Sequence, residues 1–211
     1  MDGVVFDLDG VLVDSEQIWD EVRRRFVAEH GGAWTDEATR AQQGMSTPEW
    51  ARYLAGLGVD LPPDEIADEV IRRMAERYAE GPPVITGGPE AVRAVAAAYP
   101  VAIASSSPQV LIDSFLVATG LEDLVKVALS SEKVAKGKPA PDVYLEATRR
   151  LGVDASRCAA VEDTTNGLKA ALAAGMTVYA VPNPHFPPDP AVLERTTVLG
   201  DIGELPGIMG L

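Results

Sequence analysis

The chain has 211 residues, of which 46% are hydrophobic, and 18 Lys and Arg stand against 32 Asp and Glu for a net charge of −14. This size allows a sizeable core in one domain, or in one domain with a second inserted into it. The acidity argues against binding to nucleic acid or anionic lipid. The single cysteine, Cys158, excludes an intrachain disulfide, and no apolar run approaches the ~20 residues of a membrane span. We therefore expect a cytoplasmic protein.

The first predicted strand covers residues 3–7, and its end carries two aspartates, Asp7 and Asp9. Alternate strand residues share a face, so both carboxylates can point the same way while Leu8 points into the core. Gly10 then allows a sharp turn. Carboxylates this close repel each other unless a proton or a cation lies between them, and Mg²⁺ prefers such oxygen ligands. The motif alone is more often a solvated pair of turn acids than a cation site.

Residues 15–83 contain no predicted strand. Apolar residues fall on one helical face near the start of this segment, and a later four-residue repeat consists of Ile66, Val70, Met74 and Tyr78. The second helix is predicted to have Asp64 as its N-cap. We interpret the segment as an all-helical cap domain, a mobile lid, inserted into a core formed by residues 1–14 and 84–211. The alternative is that these helices simply cover the sheet.

Four further strands alternate with helical patterns in the second half of the chain. They are predicted at 101–105, 126–130, 158–162 and 177–181. The helices between them are predicted to start at Pro89, at an N-cap formed by Ser107, at Pro141 and near Asn166. Strands of continuous hydrophobicity joined by helices indicate a parallel sheet covered on both faces. The predicted fold class is therefore α/β, with a Rossmann-like core.

Polar residues follow several of these strands at the point where each ends. Ser105, Ser106 and Ser107 close the second strand, Glu162 and Asp163 close the fourth, and Lys138 lies on a connection. Hydroxyls and N–H groups beside a helix start are suited to phosphate. Each feature alone has an ordinary structural explanation. The carboxyl ends of parallel strands meet at one edge of the sheet, however, so we expect these groups to gather there.

Four motifs in this order resemble the haloacid dehalogenase superfamily. They are DLDGVLVDS (7–15), IASSS (103–107), KGKPAPD (136–142) and VEDTTNG (161–167). The helical insertion resembles the small cap of the β-phosphoglucomutase-like group. Within that group, DSEQIW, SEKVAKGKPAPDVYLEA and VPNPHFPPDP look most like sugar-phosphate phosphatases of the 2-deoxyglucose-6-phosphatase type.

The resemblance implies a role for each matching residue. Asp7 would be the nucleophile that forms an aspartyl-phosphate, and Asp9 the general acid and base. Mg²⁺ would be held by Asp7, the Asp9 carbonyl and Asp163, with Glu162 beside it. The phosphoryl group would be bound by Ser105, Ser106 and Lys138. Candidate substrate contacts are Trp19, Gln43, Gly44 and Asn166. The expected partner is a small-molecule phosphate ester, and the expected state is a monomer.

Other activities of the superfamily fit less well. A phosphonatase needs a cap lysine, and residues 15–83 contain none; a haloacid dehalogenase does not need Asp9. The mutases resembling this chain carry a histidine near the position of Trp19 and basic residues in the loop matching 43–47, which has none. A phosphosugar mutase nevertheless remains the enzymatic alternative. An inactive binding module is the non-enzymatic one, disfavoured by the intact acidic motifs and Lys138.

Overall fold

A computed structural model of the chain describes residues 1–42, 45–184 and 187–211. The described residues form two compact units. The first unit comprises Met1–Asp14 and Pro82–Leu211, and the second comprises Ser15–Gly81. Within the described ranges, no helix has both the length and the apolar character that crossing a membrane requires.

The first unit is built on a parallel sheet, as the sequence predicts. Within the described residues its strands are β1 (Gly3–Phe6), β2 (Val101–Ser105), β3 (Val125–Ser130), β4 (Cys158–Glu162), β5 (Thr177–Ala180) and β6 (Thr197–Val198). Their order is β3-β2-β1-β4-β5-β6. The chain moves outward from β1 to β3 and then returns to the other side of β1. This reversal beside β1 is where open α/β sheets bind ligands.

The helices follow the predicted alternation. In chain order they are α1 (Glu16–Glu29), α2 (Asp36–Ala41), α3 (Thr47–Gly56), α4 (Pro63–Ala79), α5 (Gly88–Ala96), α6 (Gln109–Thr119), α7 (Asp142–Leu151), α8 (Thr165–Ala173), α9 (Pro190–Leu193) and α10 (Leu205–Met209). The first four belong to the second unit, whose described residues contain no strand.

Both faces of the sheet are buried. Val5 and Ala102 belong to a core that also includes Tyr144 of α7 and Leu168 of α8. The alternating residues Val4, Phe6 and Ile103 point to the opposite face and are also fully buried. Alanines such as Ala102 let the helices pack close to the sheet. This two-sided burial accounts for the continuous hydrophobicity of the strands.

Two predicted helix starts are wrong, and proline is the reason in both. Helix α4 begins at Pro63 with Pro62 as its N-cap, so Asp64 is a first-turn residue. Helix α6 has Pro108 as its N-cap, with an extended ψ of 143°, so Ser107 lies before the cap. Proline suits these positions because its φ is already near the helical value and its missing N–H is not needed there. The Ser107 hydroxyl is therefore available for another contact.

The second unit packs α4 against α1 and α3. Ile66, Val70 and Met74 are fully buried, as their four-residue repeat predicts. Trp19 of α1 lies against Trp50 of α3, with ring centroids 6.1 Å apart. The Arg23 guanidinium lies 4.5 Å from the Trp19 ring centroid and 4.8 Å from that of Trp50. These cation–π contacts tie two helices of this unit together.

Candidate active site

Polar side chains from the three central strands meet at the carboxyl edge of the sheet. Phe6, the last residue of β1, pairs with Ile103 of β2 and with Val161 of β4. The Asp7 N–H then donates to the Val161 carbonyl at 2.9 Å, which continues this ladder by one residue. Asp7 is thereby held level with Glu162 at the end of β4. The backbone pairing itself brings the first and the last acidic motif side by side.

Lys138 lies between two of these carboxylates. Its Nζ atom is 2.8 Å from Asp7 Oδ1 and 2.6 Å from Glu162 Oε1, and all three side chains are at most 8% exposed. Burial alone would lower the pKa of Lys138, but the charges of Asp7 and Glu162 and their hydrogen bonds outweigh it and raise that pKa. The lysine is therefore a fixed ammonium group at the edge of the sheet.

Glu162 is held by donors on both oxygens. The Tyr144 hydroxyl donates to Oε1 at 2.7 Å, and the N–H groups of Asp163 and Thr164 donate to Oε2 at 3.0 and 3.3 Å. Glu162 therefore has a fixed orientation and in turn fixes Lys138. The sequence did not predict this contact of Tyr144 with the site. A buried tyrosine hydroxyl needs a polar partner, and this was the available signal.

Three carboxylates form what we call the acidic cluster: Asp7, Glu162 and Asp163 each offer an oxygen within 4.8 Å of the others. Asp163 Oδ1 is buried and accepts no hydrogen bond from the described residues. Burial and the neighbouring Glu162 charge raise the pKa of Asp7 to about 7, and the same two causes raise the pKa of Asp163. With one lysine present, three ionised carboxylates leave two negative charges in excess. These residues therefore fit a divalent cation, since hard cations of this kind take carboxylate oxygens as ligands.

Two glycines make room for the carboxylates. A Cβ atom on Gly10 would lie 1.9 Å from Asp163 Oδ2, and Gly10 has a φ of +77°. A Cβ atom on Gly167 would lie 1.8 Å from Glu162 Oε1. Heavy atoms cannot approach this closely without displacing the carboxylate. The glycines in DLDG and TTNG are therefore needed for the position of the acidic cluster, and Gly10 is also needed for turning the chain.

Asp9 makes a separate set of contacts with the serines that follow β2. The Ser107 hydroxyl donates to Asp9 Oδ2 at 2.6 Å, and the Ser105 hydroxyl donates to the same oxygen at 3.3 Å. Ser106, between them, is exposed. Ser130 of β3 supports this turn by donating its hydroxyl to the Ser107 carbonyl at 2.7 Å. The structure thus brings the first two motifs together through Ser107, which the sequence had suggested as a helix cap.

The sequence also suggested four substrate contacts: Trp19, Gln43, Gly44 and Asn166. Trp19 belongs to the second unit and is only 9% exposed. Asn166 is exposed in the first turn of α8. Gln43 and Gly44 lie outside the described residues. Their proposed contacts with substrate stay predictions.

Comparison with known proteins agrees with this geometry. The sequence profile of haloacid dehalogenase-like hydrolases matches residues 1–175. Hexitol phosphatase B of Escherichia coli K12 is 31% identical over 216 residues, covering 95% of this chain and 92% of that protein. The fructose-1-phosphate phosphatase of the same organism is 29% identical, covering 85% of this chain and 95% of that protein.

A solved structure extends the comparison to the whole fold. CbbY from Rhodobacter sphaeroides, determined in complex with phosphate, superposes with a TM-score of 0.86 at 26% identity, covering 97% of this chain and 96% of that one. The profile match spans most of the chain and includes every motif at the carboxyl edge of the sheet. The chain therefore belongs to the haloacid dehalogenase-like hydrolase family.

Proposed function

We propose that this protein is a Mg²⁺-dependent phosphatase that hydrolyses small phosphate monoesters, above all sugar phosphates, through an aspartyl-phosphate on Asp7. The observation that carries the proposal is the contact of Lys138 Nζ with Asp7 Oδ1 at 2.8 Å, inside the acidic cluster. A buried carboxylate held beside a fixed ammonium group suits attack on an anionic phosphoryl group, since the ammonium offsets the repulsion between the two anions.

The phosphoryl group needs donors for its oxygens. Ser105 supplies a hydroxyl at the end of β2, the exposed Ser106 supplies an N–H, and Lys138 supplies positive charge. In the phosphoryl-transfer reaction most of the rate enhancement comes from positioning and from charge stabilisation. A divalent cation in the acidic cluster, held by Asp7, Asp163 and the Asp9 carbonyl, would offset charge on the same phosphoryl oxygens. Glu162 would lie beside it and keep Lys138 in place.

The reaction then proceeds in two steps. A carboxylate oxygen of Asp7 attacks phosphorus, the bond from phosphorus to the sugar oxygen breaks, and Asp9 gives its proton to the departing alkoxide. In the second step Asp9 takes a proton from water while the water oxygen attacks phosphorus and the bond to Asp7 breaks. Inorganic phosphate leaves, and both aspartates return to their starting states.

The names of relatives support a sugar phosphate as the substrate. One of the Escherichia coli relatives is named for hexitol phosphate and the other for fructose 1-phosphate. Both proteins match this chain over most of its length. We therefore expect phosphorylated hexoses or hexitols to be better substrates than nucleotides. We further propose that residues 15–83, the helical insertion, act as the cap that selects among them.

A phosphate-release screen tests this function. Hexose phosphates, hexitol phosphates and nucleotides are incubated with the protein and Mg²⁺, and inorganic phosphate is measured. Release from at least one sugar phosphate, abolished by chelator and restored by Mg²⁺, supports the proposal. β-Glucose 1-phosphate with a trace of the 1,6-bisphosphate is a further arm: glucose and phosphate fit a phosphatase, whereas glucose 6-phosphate as the main product would identify a mutase.

A further inference from the structure

The Ser107 hydroxyl contacts Asp9, the general acid and base of the proposed reaction. The hydroxyl lies 2.6 Å from Asp9 Oδ2, and the Ser107 residue is 5% exposed. An oxygen–oxygen distance of 2.6 Å is at the short end of the range for a hydrogen bond from a hydroxyl. Neither a helix cap nor the turn itself accounts for it, because Pro108 occupies the N-cap position and the Ser107 N–H is bonded to Ser105 Oγ at 2.9 Å.

The position of Ser107 is itself fixed from the neighbouring strand. Ser130, fully buried at the end of β3, donates its hydroxyl to the Ser107 carbonyl at 2.7 Å. Ser130 is itself held in place, because its N–H donates to Gln109 Oε1 at 3.2 Å. Ser107 therefore lies in a turn that a buried residue of β3 holds in place, whereas Asp9 lies on the turn after β1. A rigid donor of this kind can determine where a carboxylate on a turn points.

We infer that Ser107 is a positioning residue that aims the Asp9 carboxylate for proton transfer, a role that rests on the phosphatase function proposed above. The behaviour of Ser105 explains why Asp9 needs a second hydroxyl donor. Its hydroxyl lies 3.3 Å from the same Asp9 oxygen, but in the proposed reaction it turns to the phosphoryl group. Ser107 keeps its bond to Asp9 when Ser105 is engaged by substrate, so Asp9 stays in place throughout both steps.

A substrate whose leaving group needs no proton can distinguish a role of Ser107 in proton transfer from a purely structural role. p-Nitrophenolate leaves without a proton, so the first step with p-nitrophenyl phosphate does not depend on Asp9, whereas the second step still does. A sugar phosphate depends on Asp9 in both steps. Loss of the Ser107 hydroxyl should therefore slow the hydrolysis of the aspartyl-phosphate while leaving its formation from p-nitrophenyl phosphate nearly unchanged.

The experiment compares Ser107→Ala with the wild type and with Ser114→Ala, a matched change on the partly exposed face of α6. We expect Ser107→Ala to lower kcat for a sugar phosphate about 10- to 100-fold with little change in KM. With p-nitrophenyl phosphate, rapid mixing should show an initial burst of p-nitrophenolate at the wild-type rate, followed by slow turnover. Ser114→Ala should behave as the wild type.

Two results would overturn the inference. One is wild-type turnover of the sugar phosphate by Ser107→Ala. The other is an equal fall in the rate of the initial burst and in the steady-state rate with p-nitrophenyl phosphate, which would indicate general disruption of the site. If Ser107→Ala does not fold, Ser107→Thr keeps the hydroxyl and must retain the burst and most of the turnover. The wild type and Asp7→Asn are measured alongside. If the wild type is active and Asp7→Asn is inactive, the phosphatase function stands and a negative result concerns only the role of Ser107.

Discussion

The ammonium group of Lys138 lies 2.6 Å from Glu162 Oε1, and neither side chain is more than 5% exposed. A second carboxylate, that of Asp7, lies 2.8 Å from the same nitrogen. Replacing all the partners of a buried ion pair by apolar residues often costs little stability. Removing only one partner is costly, because it leaves the other charge buried without a counter-charge. This arrangement makes several variants informative.

Lys138→Met should abolish most of the activity and also destabilise the protein. The change keeps the length of the side chain but leaves Asp7 and Glu162 buried without their counter-charge, which costs about 3 kcal/mol. Loss of the charge beside the phosphoryl group should lower kcat by about 10²- to 10³-fold. Urea unfolding and phosphate release measure the two effects. Lys169→Ala, on the exposed face of α8, is the control; equal stability of the two variants would contradict the buried pairing.

Tyr144→Phe should weaken the support of Glu162 while preserving the packing of the ring. The variant removes one donor to a buried carboxylate, a hydrogen bond worth about 1.5–3 kcal/mol. Urea unfolding should show a loss in that range, and kcat should fall because Lys138 is less firmly held. Tyr99→Phe, a partly exposed tyrosine, should leave both quantities unchanged. No difference between the two phenylalanine variants would refute the proposed support.

Gly167→Ala should displace Glu162, because the new Cβ atom would lie within 1.8–2.0 Å of its carboxylate atoms. We expect a loss of about 1–3 kcal/mol in the free energy of unfolding and a large fall in activity. Gly56→Ala is the control, since a Cβ atom there meets nothing within 4 Å. That change should raise stability by up to about 1 kcal/mol by restricting the unfolded chain. A fully active Gly167→Ala enzyme would show that the position of Glu162 is unimportant.

Much of the fold could be predicted from the sequence because its patterns are strong and local. The strands β1, β2 and β4 were recognisable from continuous hydrophobicity, which reflects burial on both faces. Strand β6, only Thr197–Val198, has too few residues to show any period. Such a short edge strand is defined by its pairing with β5, which no local pattern reveals.

The candidate site was predictable in its residue types and less so in its contacts. The sequence suggested that the acidic motifs and Lys138 would gather, and parallel strand order is a general reason for it. It could not show that Ser107 bonds to Asp9 or that Tyr144 bonds to Glu162, because those pairs are 98 and 18 residues apart. Side-chain pairing across such distances depends on tertiary packing. The cap residues Gln43 and Gly44 stay predictions, as does the mobile lid.

Asp163→Asn should stabilise the protein in the absence of metal and weaken its binding of a cation. In chelator the variant removes a buried negative charge whose Oδ1 atom accepts no hydrogen bond from the described residues. The thermal midpoint without metal should therefore rise by about 2–4 °C, the equivalent of about 1 kcal/mol. Excess Mg²⁺ should raise the midpoint of the wild type by binding to the folded state only, and that of the variant much less.

The control for this measurement is Asp68→Asn, which removes an exposed charge from α4. It should respond to Mg²⁺ as the wild type does. A lower midpoint for Asp163→Asn in chelator, or a wild-type response to Mg²⁺, would argue against a cation held by the acidic cluster.

Turnover by Asp7→Asn tests the central claim most directly. The substitution keeps the size of the side chain and removes the attacking carboxylate. Because Glu162 still pairs with Lys138 at 2.6 Å, no buried charge is left without a partner, and we predict a folded protein with a thermal midpoint near that of the wild type. Its release of phosphate from the best sugar phosphate, with saturating Mg²⁺, should fall by about 10³-fold or more. A folded Asp7→Asn protein that releases phosphate at a rate comparable with the wild type would contradict the aspartyl-phosphate mechanism.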